Sequence, residues 1–183
     1  MTRRRLLLAA TLATLTVAGG CGYSLERPFP DDAETIFVPV WGRGQQVYRR
    51  GLEMRITEAV VKQINLRTDY RVSERPRADT ELTGTLESVE QRILSYNPDT
   101  GRPREMEMTL VVSFTWKDLR TGENRLIRSN FAVSGTYIPH EPFGRDFFLG
   151  SEDVINKLAR RVVEQMESPW PEPEAAPEAP EAP

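Results

Sequence analysis

From Met106 to Trp116 the chain alternates. Met106, Met108, Leu110, Val112, Phe114 and Trp116 are apolar, and Glu107, Thr109, Val111, Ser113 and Thr115 lie between them. Successive side chains of a strand point to opposite faces, so the pattern predicts a strand with an apolar face about 35 Å long. Leu119-Arg120-Thr121-Gly122-Glu123 then punctuates the chain, and a second run returns through Ile127, Ser129, Phe131, Val133, Gly135 and Tyr137. Two long strands around a Gly-containing turn predict a hairpin. A hairpin alone is at best marginally stable in water, so its apolar face demands a covering layer. Val111 is the exposed-apolar candidate on the nominal outer face; a single valine there needs no special explanation.

The flanking segments supply that layer. Gly51 to Ile64 changes period: Leu52, Ile56, Ala59, Val60 and Ile64 share one side at helical spacing, and Glu58 and Lys62 form an i,i+4 pair. Before this helix, Ile36-Phe37-Val38-Pro39-Val40 reads as a short strand, with Pro39 at a strand end or on an edge. After it, a run around Tyr70-Arg71-Val72 reads as another, so the strand–helix–strand order predicts a right-handed crossover with parallel strands. Arg75 to Asp79 is a loop. Leu82, Gly84 and Leu86 then alternate with polar residues before the apolar phase moves to Val89 and Ile93. That shift places a bulge or bend near Glu87–Ser88, although a strand carrying a functional groove gives the same signature. Tyr96-Asn97-Pro98-Asp99-Thr100-Gly101 is a turn sequence. Pro139, Pro142 and Gly144 break the returning strand, and Ser151 is the candidate N-cap of a closing helix to about Glu167, with Val154, Ile155, Leu158, Val162 and Met166 as its apolar stripe. The expected fold class is α+β: a two-layer sandwich of two helices packed on a mostly antiparallel sheet of four to five strands.

The ends of the chain belong to something else. Arg3, Arg4 and Arg5 precede a hydrophobic stretch from Leu6 to Ala18, and Gly19-Gly20-Cys21 follows. The stretch is short for a transmembrane helix and reads as an export signal over residues 1–20. Thr2 to Leu7 weakly resembles a twin-arginine signal; an ordinary positive start is the simpler reading. Cys21 is the only cysteine, so an exported chain has no internal disulfide and a free thiol there is a liability. Ala18-Gly19-Gly20-Cys21 resembles the cleavage box of bacterial lipoproteins, departing from it at Ala18, where a leucine-like residue is usual. Acylation of Cys21 is expected, with simple secretion and a retained membrane anchor as alternatives. Gly22, instead of an aspartate, leans toward the outer membrane. Residues 21–34 form the lipidated N-terminus and tether, 35–170 the folded domain, and 171–183, made only of proline, glutamate and alanine, a tail with no core to fold around.

Charge and chemistry narrow the function. The net charge of −3 becomes −6 when the three arginines of the signal leave, which is no nucleic-acid signature. Arginine supplies nearly all the positive charge, since Lys62, Lys117 and Lys157 are the only lysines. His140, the lone histidine, sits in a loop without cysteine or histidine companions, so neither a metal site nor a nucleophile–base set is supported. Asp79, Glu81 and Glu87 can be drawn as paired carboxylates, but polar strand faces produce such pairs cheaply. Gly42-Arg43-Gly44 has the spacing of neither a dinucleotide nor a phosphate-binding loop. No cofactor is implied. A binding or assembly component, not an enzyme, is the expectation.

The order of features also resembles a known family. Cys21-Gly22-Tyr23-Ser24-Leu25 looks like the opening of LptE, the lipopolysaccharide-assembly lipoprotein of the outer membrane. The Pro39-containing strand, Gly51-Leu52-Glu53 and its helix, Ala78-Asp79 with Leu82-Thr83-Gly84, the central hairpin and the closing helix recur in that family's order. Trp41-Gly42 and the tail depart from it. The resemblance covers Cys21 to about Trp170. It implies a lipid anchor at Cys21 in the inner leaflet of the outer membrane, on its periplasmic face. It further implies a plug inside the lumen of the LptD-type β-barrel, aiding barrel assembly and lipopolysaccharide insertion, and a two-helix α/β sandwich. Another outer-membrane lipoprotein acting as an envelope binding or scaffolding module is the alternative. Separately, Arg92, Arg102 and Arg104 flank the Tyr96–Gly101 turn, which makes one tip of the sheet a candidate contact for lipopolysaccharide phosphates or sugar acids. Solvated surface arginines are the plainer reading of the same residues.

Overall fold

The computed structural model describes residues 29–30, 32–139 and 143–167. Cys21, His140, Trp170 and the acidic tail lie outside the described residues. In chain order the elements are β1 (Thr35–Phe37), β2 (Gly42–Arg43), α1 (Leu52–Arg67), β3 (Arg71–Val72), a single 3-10 turn (Arg75–Arg77), β4 (Thr80–Tyr96), β5 (Pro103–Asp118), β6 (Asn124–Tyr137) and α2 (Phe143–Glu164).

The alternating stretch lies within β5, the middle one of the three long strands. Met108, Leu110, Val112, Phe114 and Trp116 are all buried, and their neighbours Thr109, Val111, Ser113 and Thr115 are half-buried on the opposite face. β4 and β6 flank β5 antiparallel, and the order across the sheet is β3-β1-β4-β5-β6. The turn to β6 closes through Asp118 N to Glu123 O at 2.8 Å, with Gly122 in the left-handed region at φ +80°. The anticipated bulge is present: β4 pairing skips from Leu86 to Ser88. A second bulge was not anticipated. Asn130 of β6 has φ +53° and donates its amide to Ser113 Oγ (3.3 Å), which shifts the register between Val112 and Phe114.

The crossover is parallel as expected, with Thr35 beside Arg71 and Ile36 beside Val72. The first strand ends at Phe37 instead of running to Val40. Pro39, lacking an amide hydrogen, separates β1 from β2, and both pair parallel with β4. The sixth strand is β2, a two-residue fragment in which Gly42 and Arg43 pair with Thr85 and Leu86.

Both helices cover one face of the sheet. α1 buries Leu52, Ile56, Ala59, Val60 and Ile64, the stripe expected from their spacing, and α2 buries Val154, Ile155, Leu158, Val162 and Val163. The N-cap expected at Ser151 is wrong. α2 already begins at Phe143, and Ser151 lies inside it, fully buried. The added turns are held by packing: Phe147 is buried beneath the Arg49 guanidinium, 3.7 Å from the ring centroid. Gly150 meets Tyr137, where a Cβ would come within 2.5 Å of the ring. Glycine here is a packing residue and not a helix breaker.

Candidate functional site

Three regions of the sandwich carry the polar chemistry. The first is the sheet face that no helix covers. On β4 and β5, Thr83 stands beside Thr115, Thr85 beside Ser113 and Glu90 beside Thr109; on β6, Ser134 stands beside Thr109, their hydroxyls 2.8 Å apart. A shallow cleft of about 190 Å³ crosses this face, with Thr83, Thr85, Ser113, Thr115 and Ser129 supplying hydroxyls and Ile127 an exposed apolar side chain. Hydroxyls dominate the strip, and its charged groups are Glu90 beside Thr109 and Arg128 in the lining of the cleft. The strip offers hydroxyl donors and acceptors to a polar surface and has no group to activate a nucleophile.

The second region is the far tip of the β4–β5 ribbon. The turn is built by Asn97, whose Oδ1 accepts the amides of Asp99 (2.9 Å) and Thr100 (3.2 Å), while Gly101 at φ +65° donates to Asn97 O (2.9 Å). The structure brings Arg92, Arg102 and Arg104 to this end, and all three are exposed. They do not form one cluster. Arg92 is held across the strands by Glu107 (2.9 Å), Arg102 sits where the turn closes, with its carbonyl accepting Asn97 N, and Arg104 falls where pairing jumps from Glu105 to Pro103. Ile93, Leu94 and Tyr96 beside them are exposed, so the tip mixes cationic and apolar surface.

The third region, at the opposite end, was not found by reading the sequence. Asp118 is buried and receives Arg120 Nη2 at 3.0 Å and Arg125 Nη2, and both arginines reach Asp32 as well, Arg125 Nη1 meeting Asp32 Oδ1 at 2.8 Å. Hydrogen bonds from Arg120 and then Arg125 hold the Asp118 carboxyl well below the usual carboxylate range. Hydrogen bonding to Arg125 lowers Asp32 in the same sense. The Arg125 guanidinium also lies 5.1 Å from the centroid of Trp116. Nearby, Asp79 Oδ2 accepts the amides of Glu34 and Thr35 (both 3.0 Å) and the Thr35 hydroxyl (2.8 Å), and these bonds, the Thr35 hydroxyl first, lower its pKa. Tyr70 OH donates to Pro30 O at 2.9 Å. Pro30, Asp32, Glu34 and Thr35 are thereby stapled to the end of the sheet.

This arrangement disposes of the paired-carboxylate reading. Asp79 is a structural acceptor for the start of β1, Glu81 is paired with Arg75 at 3.2 Å, and Glu87 sits at the β4 bulge. Among the described residues, no group of three or more His, Cys, Asp or Glu side chains is placed to hold a metal ion. A groove of about 570 Å³ lies beside the Asp118 cluster between β6 and the end of α2, with Trp116, Leu126 and Met166 as its apolar part and Arg125 and Arg128 as its cations.

Comparison with known proteins agrees with this architecture. No curated protein matches the chain. Among solved structures, the chain is similar to an uncharacterised lipoprotein B from Nitrosomonas europaea, at 14% identity and a TM-score of 0.52, covering 81% of this chain and 90% of that one. A hypothetical protein from Chlamydia trachomatis is similar at 6% identity and TM-score 0.51, covering 73% of this chain and 98% of that one. A Xanthomonas campestris protein gives 11% identity and TM-score 0.50, with coverages of 76% and 86%. These likenesses establish the two-layer sandwich. The family of LptE, lipopolysaccharide-assembly proteins, matches residues 33–168, from the Asp79-stapled N-terminal segment to just past the end of α2. The chain belongs to the LptE lipoprotein family.

Proposed function

We propose that this protein is the lipoprotein subunit of an outer-membrane lipopolysaccharide translocon. Acylated at Cys21, it sits on the periplasmic face of the outer membrane. It occupies the lumen of an LptD-type β-barrel, where it assists folding of the barrel and insertion of lipopolysaccharide. The single observation that carries this reading is the family match over residues 33–168, which spans every described element of the sandwich. The geometry supports it: two helices close one sheet face, and the other presents a hydroxyl-rich polar strip suited to a polar, hydrated lumen. At the ribbon tip, Arg92, Arg102 and Arg104 are the proposed contacts for lipopolysaccharide phosphates, with Ile93, Leu94 and Tyr96 as adjoining apolar surface.

Depletion of the protein tests the assignment. Folded barrel and surface lipopolysaccharide should fall together, and depletion that leaves both unchanged would reject the translocon role. Replacing Arg92, Arg102 and Arg104 together by serine should reduce crosslinking to lipopolysaccharide while barrel copurification persists. Unaltered crosslinking removes these arginines from the site.

A further inference from the structure

α2 ends at the mouth of the groove that separates it from β6. After Glu164 a turn carries the chain to Glu167, with Met166 N donating to Val163 O (2.9 Å) and Glu167 N to Glu164 O (3.4 Å). Met166 and Glu167 both line the groove, together with Trp116 of β5 and its cross-strand neighbour Leu126 of β6. Trp116 is 3% exposed, and its indole Nε1 has no acceptor among the described residues. A buried N–H left without an acceptor costs free energy that a carbonyl placed in the groove recovers. Two cations line the same groove. Arg125 is taken up by Asp32 and Asp118. Exposed Arg128 donates through Nε to Gln165 Oε1 (2.9 Å) and through Nη1 to Ile127 O (3.2 Å), which leaves Nη2 for a carboxylate. Glu164 opposes such a partner little, because Arg67 holds it at 3.0 Å.

We propose that this groove is the docking site of the chain's own continuation, Ser168-Pro169-Trp170-Pro171-Glu172, with Trp170 as its anchor. The segment starts inside the groove, since Glu167 is one of its walls. Three extended residues span about 10 Å, so Trp170 reaches Leu126 without any rearrangement of α2. Pro169 and Pro171 cannot prolong the helix, and they favour an extended backbone whose carbonyls have no internal donors. Segments of that kind dock in aromatic-lined grooves. The carbonyls of Pro169 and Trp170 are the acceptors offered to Trp116 Nε1. Leu126 and Met166 cover the Trp170 ring, and Glu172, the first acid beyond it, pairs with Arg128. Pro30 also lines the groove, so docking brings the two ends of the domain together at the Asp118 end, opposite the arginine tip. This docking goes beyond the translocon role and does not depend on it.

The test uses the full mature protein in detergent and reads acrylamide quenching of Trp170, taken as the difference between the parent and Trp170→Phe. The other two tryptophans, Trp41 and Trp116, are buried. Trp170 should be quenched several times more slowly than N-acetyltryptophanamide. Arg128→Glu should lower the docked-to-free ratio about tenfold by removing a charge-assisted hydrogen bond, read as severalfold faster quenching. Glu172→Arg in that background should restore protection, and Lys62→Glu, an equal charge reversal on α1, should leave it unchanged. In nitrogen-15 spectra, Trp170→Ser should move the Trp116 indole N–H resonance and leave that of Trp41 in place. Trp170 as open to acrylamide as the free amide overturns the docking, and so does protection that ignores Arg128→Glu, as shelter by detergent alone would. A Trp116 indole resonance that moves with Leu25→Ser and not with Trp170→Ser gives the groove to the N-terminal tether and overturns it equally.

Discussion

Substituting Gly84 by alanine addresses one of the tightest contacts in the core, that of β4 with Trp41. A Cβ at Gly84 would stand 2.5 Å from Cδ2 and Cε3 of Trp41 and 2.6 Å from Cε2, where carbon atoms ordinarily sit at about 3.5–4.0 Å. The indole must retreat by about 1 Å, but it has little room. Trp41 is 2% exposed and stacks on Phe114 with centroids 6.3 Å apart and planes at 23°. Its amide is also tied to Thr57 Oγ1 of α1 at 3.0 Å. Overpacking of this kind costs about 1–3 kcal/mol. Alanine recovers about 0.5–1 kcal/mol through lower backbone entropy in the unfolded chain. The net expectation is a loss of about 1–2 kcal/mol, a fall in melting temperature of about 5 °C for a domain of this size. Urea unfolding followed by tryptophan fluorescence measures it. In a Trp41→Leu background the clash is relieved, so Gly84→Ala should cost at least about 0.5 kcal/mol less there. A Gly84→Ala protein as stable as its parent, or an equal cost in both backgrounds, would refute the reasoning.

Other perturbations follow from the same contacts. Asp118, Asp32 and Asp79 all have folded pKa values below their ordinary one. Their stabilisation is therefore complete above the unfolded carboxylate value of about 3.9 and is lost as pH falls further. Thermal melts should be flat from about pH 7 to 5 and drop steeply below about pH 4, and Asp118→Asn should shrink that drop. Asp79→Ala removes the acceptor of two amides and a hydroxyl, which should cost about 2 kcal/mol and speed hydrogen exchange at Glu34 and Thr35 before the rest of the sheet. Gly122→Ala, at φ +80° in the β5–β6 turn, should destabilise by about 1 kcal/mol by equilibrium unfolding without altering the β5–β6 register.

The long elements were legible because their periods are uninterrupted. Met106 to Trp116 keeps a period of two, and the phase change between Leu86 and Val89 marks a bulge that the β4–β5 register contains. α1 was equally plain, its buried stripe falling at helical spacing. The first two turns of α2 were hidden because Pro139, Pro142 and Gly144 read as breaks and Ser151 offered a later N-cap. What holds those turns includes Gly150 against the Tyr137 ring, a contact that exists only after β6 and α2 have packed. The two-residue strand β2 carries too few side chains to show a period, whereas β3 was legible in Tyr70-Arg71-Val72. At the ribbon tip, turn chemistry was enough to bring Arg92, Arg102 and Arg104 to one end, but Glu107 as the partner of Arg92 depends on register. The Asp32–Arg125–Asp118–Arg120 cluster was invisible for a similar reason: Asp32 and Arg125 are 93 residues apart and meet only through the order of the sheet.

The central claim is that this lipoprotein works inside a larger envelope complex. Its most direct test is isolation of the tagged, full-length protein from detergent-solubilised outer membranes, with quantification of what accompanies it. The expected result is a large β-barrel of the LptD kind in equimolar amount, together with an acylated N-terminal peptide at Cys21. Recovery from the soluble periplasm with an unmodified Cys21 thiol and no barrel would contradict it.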